Sequence, residues 1–250
     1  MIGTTDATAI RVVSRRVVLS LAAVAGLLVA AHFWLLFITV TTGHDSILGL
    51  VGAFDLDREN NVPSFFSGGL FLLNAMLLWL VGQQPARHHG SRVWYALAAV
   101  FVFLSYDEMF GVHERLTRPL REAFHTGGLL YYAWVIAYVM PVIALIWWFY
   151  PTWRRLSADV RRQLLVAGCL FLLGAVVMEM INGAYDEAFG HRRSLAWGLL
   201  SAVEESLEMA GLIALAHALL GLLSSAPGGA PLVFDDRAWP LPTEQTRADL

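Results

Sequence analysis

Apolar residues run along this chain in six long blocks, separated by short polar breaks. Residues 17–41, 64–82, 93–113, 128–150, 164–183 and 195–223 are each mostly apolar. Each is close to or above the ~20 residues that carry a helix across a bilayer. Backbone polar groups cannot stay unpaired in lipid, so runs of this length are expected to be helices. The pattern predicts an all-α, polytopic membrane protein, a bundle of about six transmembrane helices over residues 1–223. From residue 224 the chain turns to "APGGAP" and mixed charge, which reads as a flexible cytoplasmic tail over 224–250. The first block has features of a signal peptide: Arg11, Arg15 and Arg16 precede it, and "VAA" stands at 29–31. Its apolar run continues to about Thr41, so it is expected to remain as an uncleaved first helix.

Composition agrees with this pattern. Hydrophobic residues make up 57% of the 250 and charged ones 15%, with a mean hydropathy of +0.59, unlike a soluble domain. A net charge of -3 implies no nucleic-acid partner. Membrane lipids are the expected surroundings, and nothing in the chain names a protein partner. The single Cys169 excludes an internal disulfide and a thiolate metal cluster. No nucleotide or haem signature is present.

Arginine placement orients the bundle, because cytoplasmic loops collect basic residues. With the N-terminus inside, the inner segments hold eleven of the 17 arginines, including Arg87, Arg92, Arg154, Arg155, Arg161 and Arg162. The outer segments hold Arg58, Arg115, Arg118, Arg121, Arg192 and Arg193. Both termini are therefore expected in the cytoplasm, N-in and C-in.

In that orientation the acids gather on one side. The third block ends at "SYDEMFGVHE", bearing Asp107, Glu108, His113 and Glu114. The fifth ends at "MEMINGAYDE", with Glu179, Asn182, Asp186 and Glu187. The sixth carries "SAVEESLEMAG", with Ser201, Glu204, Glu205 and Glu208 along about 100° of one helix face. A seven-residue spacing puts Asp107 and Glu114 on one face, and likewise Glu179 and Asp186. Acids turned to lipid cost ~2.5–3.5 kcal/mol each, so they are expected to face one another. They cannot all be ionised there without compensation. Protons, arginines or a bound cation are the three remedies.

A divalent cation would draw on Asp107, Glu108, His113, Glu179, Glu204, Glu205 and Glu208, with Glu114, Ser67, Asn74, Asn182 and Ser201 around them. Carboxylates with one histidine favour Mg, Mn, Ca or Fe over copper or zinc. H-E-x-x-H is absent, and so is the pair of E-x-x-H motifs of di-iron bundles. In "DLDRENN", Asp55, Asp57, Glu59 and Asn61 alternate like the start of a calcium loop, but Asn60 and Phe66 stand where its glycine and final acid belong. The same stretch reads as a helix cap, with Pro63 and Ser64 at the start. Ser67 and Asn74 are candidates for hydrogen bonds across helices. Asp186 and Glu187 are expected to be solvated, and His32 and His217 to be packing residues.

The ordered set "FDLDRENNVPSFFS", "SYDEMFGVHERL" and "EESLEMAG" resembles a group of uncharacterised bacterial multi-pass membrane proteins across roughly residues 52–212. That resemblance implies six or so helices and a bacterial inner-membrane address, and no activity. A more distant likeness is to alkaline-ceramidase-type membrane hydrolases, which use a Ser, an Asp and three His around zinc. It implies roles for Ser67 and Asp107, while the histidine set has no counterpart here.

Three functions follow from the three remedies. An outward-facing, carboxylate-lined site binding a divalent cation would suit an enzyme acting on a lipid or lipid-linked substrate. Acids in relay would suit a proton or cation transporter or channel. Acids paired with outer arginines would suit a structural or sensory protein. The inner halves of the acidic helices lack polar residues, which favours a one-sided site over a transport path.

Overall fold

Six helices long and apolar enough to cross a membrane form, one from each apolar block. The computed structural model describes residues 14–44, 47–84, 91–190 and 194–224. The stretch after residue 224, Arg192 and Arg193 lie outside the described residues. The spans are α1 (Ser14–Thr42), α3 (Val62–Gln83), α4 (Ser91–Phe110), α6 (Trp134–Trp153), the pair α7 (Ala158–Leu172) and α8 (Glu179–Phe189), and α9 (Leu195–Ser224). Two shorter helices, α2 (Leu50–Phe54) and α5 (Val112–Phe124), lie between spans. Among the described residues every regular element is helical. The chain is an all-α, multi-pass membrane bundle.

Local chemistry sets the boundaries. Asn61 caps α3: its side chain accepts from the Ser64 amide, and Ser64 Oγ accepts from the Asn61 amide. Pro63 sits in the first turn, where no intrahelical donor is needed. The third block does not run to residue 113. Gly111 takes φ +60°, a left-handed conformation that ends α4 and starts α5 in a new direction. Asp107 and Glu114 thus lie on separate helices, and their seven-residue spacing places them on no common face. The fourth block begins as a 3-10 turn at Gly128–Leu130 and becomes α6 only at Trp134. Leu173–Met178 is a π-helical stretch, whose wider ladder offsets the face that the following helix presents.

α3 and α9 are the most buried spans and form the axis of the bundle. At one end Leu77, Val81, Trp94, Ala98, Leu219 and Leu222 form an apolar core from α3, α4 and α9. Nearer the other end Leu56, Leu70, Phe71, Met209 and Leu212 form a second. Lipid tails are as apolar as leucine, so close approach and polar contacts hold such helices together. Gly211 provides the first: a Cβ there would lie 2.6 Å from Phe171 N and 2.9 Å from Ala167 O, so α9 rests on the backbone of α7. Ser105 Oγ donates to Gly68 O at 2.8 Å, and Asn74 Nδ2 to Leu212 O at 3.0 Å.

His32 is more than a packing residue. It is buried in α1, accepts from the Leu56 amide at Nδ1 (3.1 Å), and its Nε2 lies 3.2 Å from Gly198 O. It thereby ties α1 to the α2–α3 loop and to α9. His217 is exposed on α9.

Candidate functional site

The acid-bearing parts of α4, α8 and α9, together with α6, surround a cavity of about 670 Å³. All seven candidate ligands line it: Asp107 and Glu108 from α4, His113 from α5, Glu179 from α8, and Glu204, Glu205 and Glu208 from α9. Glu114, Asn182 and Ser201 join them, as do Asp57 and Glu59 from the loop before α3. Ser67 and Asn74 are not among the lining residues. Both are buried on α3, and Asn74 spends its amide on Leu70 O and Leu212 O.

The break at Gly111 builds the most structured part. It turns α5 back so that the His113 amide donates to Asp107 Oδ1 at 2.8 Å, with the His113 ring Nδ1 3.2 Å from the same oxygen. Tyr138 Oη donates to Asp107 Oδ2 at 3.0 Å. Asp107 is therefore a buried carboxylate with donors on both oxygens. The other ring nitrogen of His113 lies 3.7 Å from Glu59 Oε1. Burial alone would lower the His113 pKa, but the hydrogen bond and charge of Asp107, with Glu59 and Glu179, outweigh it and raise it to about 9. Burial, then the charge of Glu114, pushes Glu59 up to about 8. Both ring nitrogens of His113 are thus turned to carboxyl oxygens, an arrangement that favours the protonated ring.

α6 supplies donors that sequence reasoning missed. Trp134 Nε1 donates to Glu179 Oε1 at 2.7 Å, and its ring packs on His113 with centroids 4.9 Å apart. Just before α6, Tyr132 Oη donates to Asp186 Oδ2 at 3.1 Å. Trp134 and Tyr138 are four residues apart, so one helix face carries two aromatic donors to the acidic side. That i, i+4 pairing was the available signal. Asp186 is buried rather than solvated, because the π-helical stretch before α8 lets that face look inward. Glu187 is exposed, and its carboxylate accepts from the Gly128 amide.

On the α9 side, Asn182 Nδ2 donates to Glu204, and Ser201 Oγ donates to Asp57 Oδ1 at 3.0 Å. Asn182 Oδ1 is buried without a partner. Glu108, Glu205 and Glu208 receive no hydrogen bond among the described residues. Glu205 feels the charges of Glu108 and Glu208, and Glu208 those of Glu108 and Glu179. The fold thus gives donors to Asp57, Asp107, Glu179, Asp186 and Glu204, while Glu108, Glu205 and Glu208 are left to one another's charges.

The calcium-loop reading fares differently. Asn61 donates into the loop backbone at Asp55 O (2.6 Å), Asp55 pairs with Arg58 at 3.6 Å, Asp57 meets Ser201 and Glu59 meets His113. These side chains go to separate partners instead of converging on one point. Two of the outer arginines are also engaged elsewhere: Arg118 pairs with Glu122 at 2.8 Å, and Arg121 lies over the Tyr131 ring at 4.1 Å. Arg58 is the one arginine among the lining residues. Among the described residues, no three of His, Cys, Asp and Glu stand around one point closely enough to hold an ion as they lie.

The remainder of the cavity is greasy. Val139, Val142, Ile143 and Ile146 of α6 face Phe171, Leu172, Ala175 and Val176 across it. The site therefore joins a carboxylate-rich head to an apolar flank. No curated protein and no solved structure matches the chain. Residues 20–222, which include all six spans but the ends of the first and last, match the family described as Domain of unknown function (DUF8692), and the chain belongs to that family.

Proposed function

We propose that this chain is an inner-membrane protein whose carboxylate-rich site opens toward the periplasm, binds a divalent cation, and uses it on the oxygen-rich head of a lipid or lipid-linked substrate. The arginine bias supports the orientation, with both termini in the cytoplasm. The observation that carries the reading is the trio Glu108, Glu205 and Glu208. These groups feel one another's charge without a hydrogen-bond donor among the described residues, and Asn182, whose Oδ1 is buried without a partner, lines the same cavity. A set of acceptors with no donors is complementary to a cation. Glu108, Glu205, Glu208 and Asn182 are the groups that would hold it. Bound there, a hard divalent ion would supply Lewis-acid polarisation or orient an oxygen. Asp107, with donors on both oxygens, and Glu179 and Asp186, each held by an aromatic donor, would keep the walls in place.

Melting the purified protein with chelator, and with magnesium, manganese or calcium restored, tests the reading alongside elemental analysis. Ligand binding to the folded state contributes about 2.7 kcal/mol at a hundredfold excess over Kd. Wild type should melt higher with metal, and Glu205→Gln should lose most of that gain. If protons compensate, Gln mimics the protonated acid and the variant melts like wild type in either buffer. If arginines compensate, the variant is destabilised equally with and without chelator. A metal-free wild type whose melting temperature ignores added ions would overturn the proposal.

A further inference from the structure

We infer that the cavity takes a membrane amphiphile from the side: its acyl chain lies between α6 and the π-helical span, and a head rich in hydrogen-bond donors, hydroxyl or amine, meets Glu108, Glu205 and Glu208. This deepens the lipid half of the proposed function and rests on it, but it does not require the cation.

The geometry of α6 points to the entrance. Its outer turn is fastened by Trp134 to Glu179 and by Tyr138 to Asp107. Its far end is fastened by Phe149, whose ring meets Trp94 edge-on at 5.2 Å. Between these points nothing on α6 is buried after Val135. Val139, Ile143 and Ile146 line the cavity while 39%, 55% and 56% exposed. A helix held at both ends and free in the middle leaves a lateral slot. The stretch from Val139 to Ile146 spans about 10 Å at 1.5 Å per residue. Lipid lies outside a transmembrane helix, so the natural occupant of an apolar slot there is an acyl chain.

The head follows from the chemistry at the slot's acidic end. Ten carboxyl side chains line the cavity against Arg58 and His113. Glu108, Glu205 and Glu208 receive no hydrogen bond among the described residues, and the buried Oδ1 of Asn182 has none either; what they offer a ligand is acceptor oxygens. A hydroxyl or ammonium head offers the donors they lack. A phosphate or carboxylate head offers only more acceptors and more negative charge.

The test uses the full chain in phosphatidylcholine nanodiscs with chelator present. Three photo-crosslinking probes carry a diazirine at the same position of an 18-carbon monounsaturated chain: monooleoylglycerol, oleylamine and oleoyl lysophosphatidic acid. Peptide mapping should find the first two on residues 139–146 and 171–176. The anionic probe should label there at least about tenfold less, since like charge opposes it. Ile143→Trp, which fills the slot, should cut labelling by the donor-headed probes by about tenfold. Ile146→Trp serves the same purpose if the first variant does not fold. Labelling no denser in the slot than on the lipid-facing Leu27, Trp34 and Phe37 of α1 would overturn the inference, as would equal labelling by the anionic probe. A metal-dependent melting shift without slot labelling would sink this inference and leave the cation reading standing. Slot labelling with no response to metal would do the reverse.

Discussion

His113 gives the most quantitative handle on the site. Its ring lies between Asp107 and Glu59, and Glu179 adds to their field. Glu108 and Glu114 are the remaining acids facing the ring's partners. The pKa rises from an ordinary 6.5 to about 9. A folded-state pKa raised above the unfolded value means that the folded protein holds the proton longer. The stability this contributes is complete below about pH 6.5 and is lost as pH climbs through 9. At ~1.4 kcal/mol per unit the ceiling is roughly 3 kcal/mol. A side chain that is 22% exposed keeps less, about 1–2 kcal/mol. For a chain of this size that corresponds to a fall in melting temperature of roughly 3–6 °C. Glu59 also titrates in this window, with the same sign: its raised pKa makes stability fall between its unfolded value of 4.5 and about 8. The comparison is therefore made in a Glu59→Gln background. There the parent should lose melting temperature between pH 6.5 and 9.5, and the added His113→Gln should flatten the profile. Removing Glu59 takes away one of the charges that raise His113, so the fall should be centred somewhat below 9. Intrinsic tryptophan fluorescence in detergent follows the transition. A flat profile in the Glu59→Gln parent, or an equal fall in the double variant, would show that the ring is not held as a buried cation.

Gly211→Ala should lower melting temperature and folded yield, because its Cβ would press on the α7 backbone at Phe171 and Ala167; overpacking of this kind costs about 1–3 kcal/mol. Gly69→Ala, with nothing within 4 Å of its Cβ, should melt like wild type, and equal effects of the two would refute the close α7–α9 approach. A reporter fused after residue 223 should be active in the cytoplasm, and activity confined to the periplasm would reverse the proposed orientation.

The bundle was legible because its signal is long. Six apolar runs need only length and composition to be read as spans, and lipid leaves helices as their structural solution. The convergence of the acids followed from the same reasoning, since polar groups at one depth on several helices can avoid lipid only by facing inward. What stayed hidden depends on single residues. Gly111 lies between an apolar run and an amphipathic one, where glycine within a helix and glycine ending one look alike in sequence. Its left-handed conformation, φ +60°, decides that Asp107 caps α5 and receives His113. The π-helical stretch at Leu173–Met178 has no proline or polar punctuation, yet it sets the face on which Glu179, Asn182 and Asp186 lie. The aromatic donors Tyr132, Trp134 and Tyr138 were masked by a plainer role, since such rings also collect at membrane interfaces without specific partners.

The transport alternative turns on the far end of the bundle. A carrier must open its site to both sides, and the acids alone say nothing about the second opening. Below the cavity, α3, α4 and α9 close over the apolar side chains Leu77, Val81, Trp94, Ala98, Leu219 and Leu222. Opening a path there would separate the best-packed helices of the protein and expose apolar surface to water. Movement is less costly in α6, whose middle touches little, but α6 borders the lipid rather than the far aqueous phase, and Phe149 on Trp94 ties its end to the same core. Swinging α6 would widen the lateral slot and leave the lower core shut. The loosely packed middle of α6 and the closed apolar end both favour a site that exchanges with the membrane and one aqueous face.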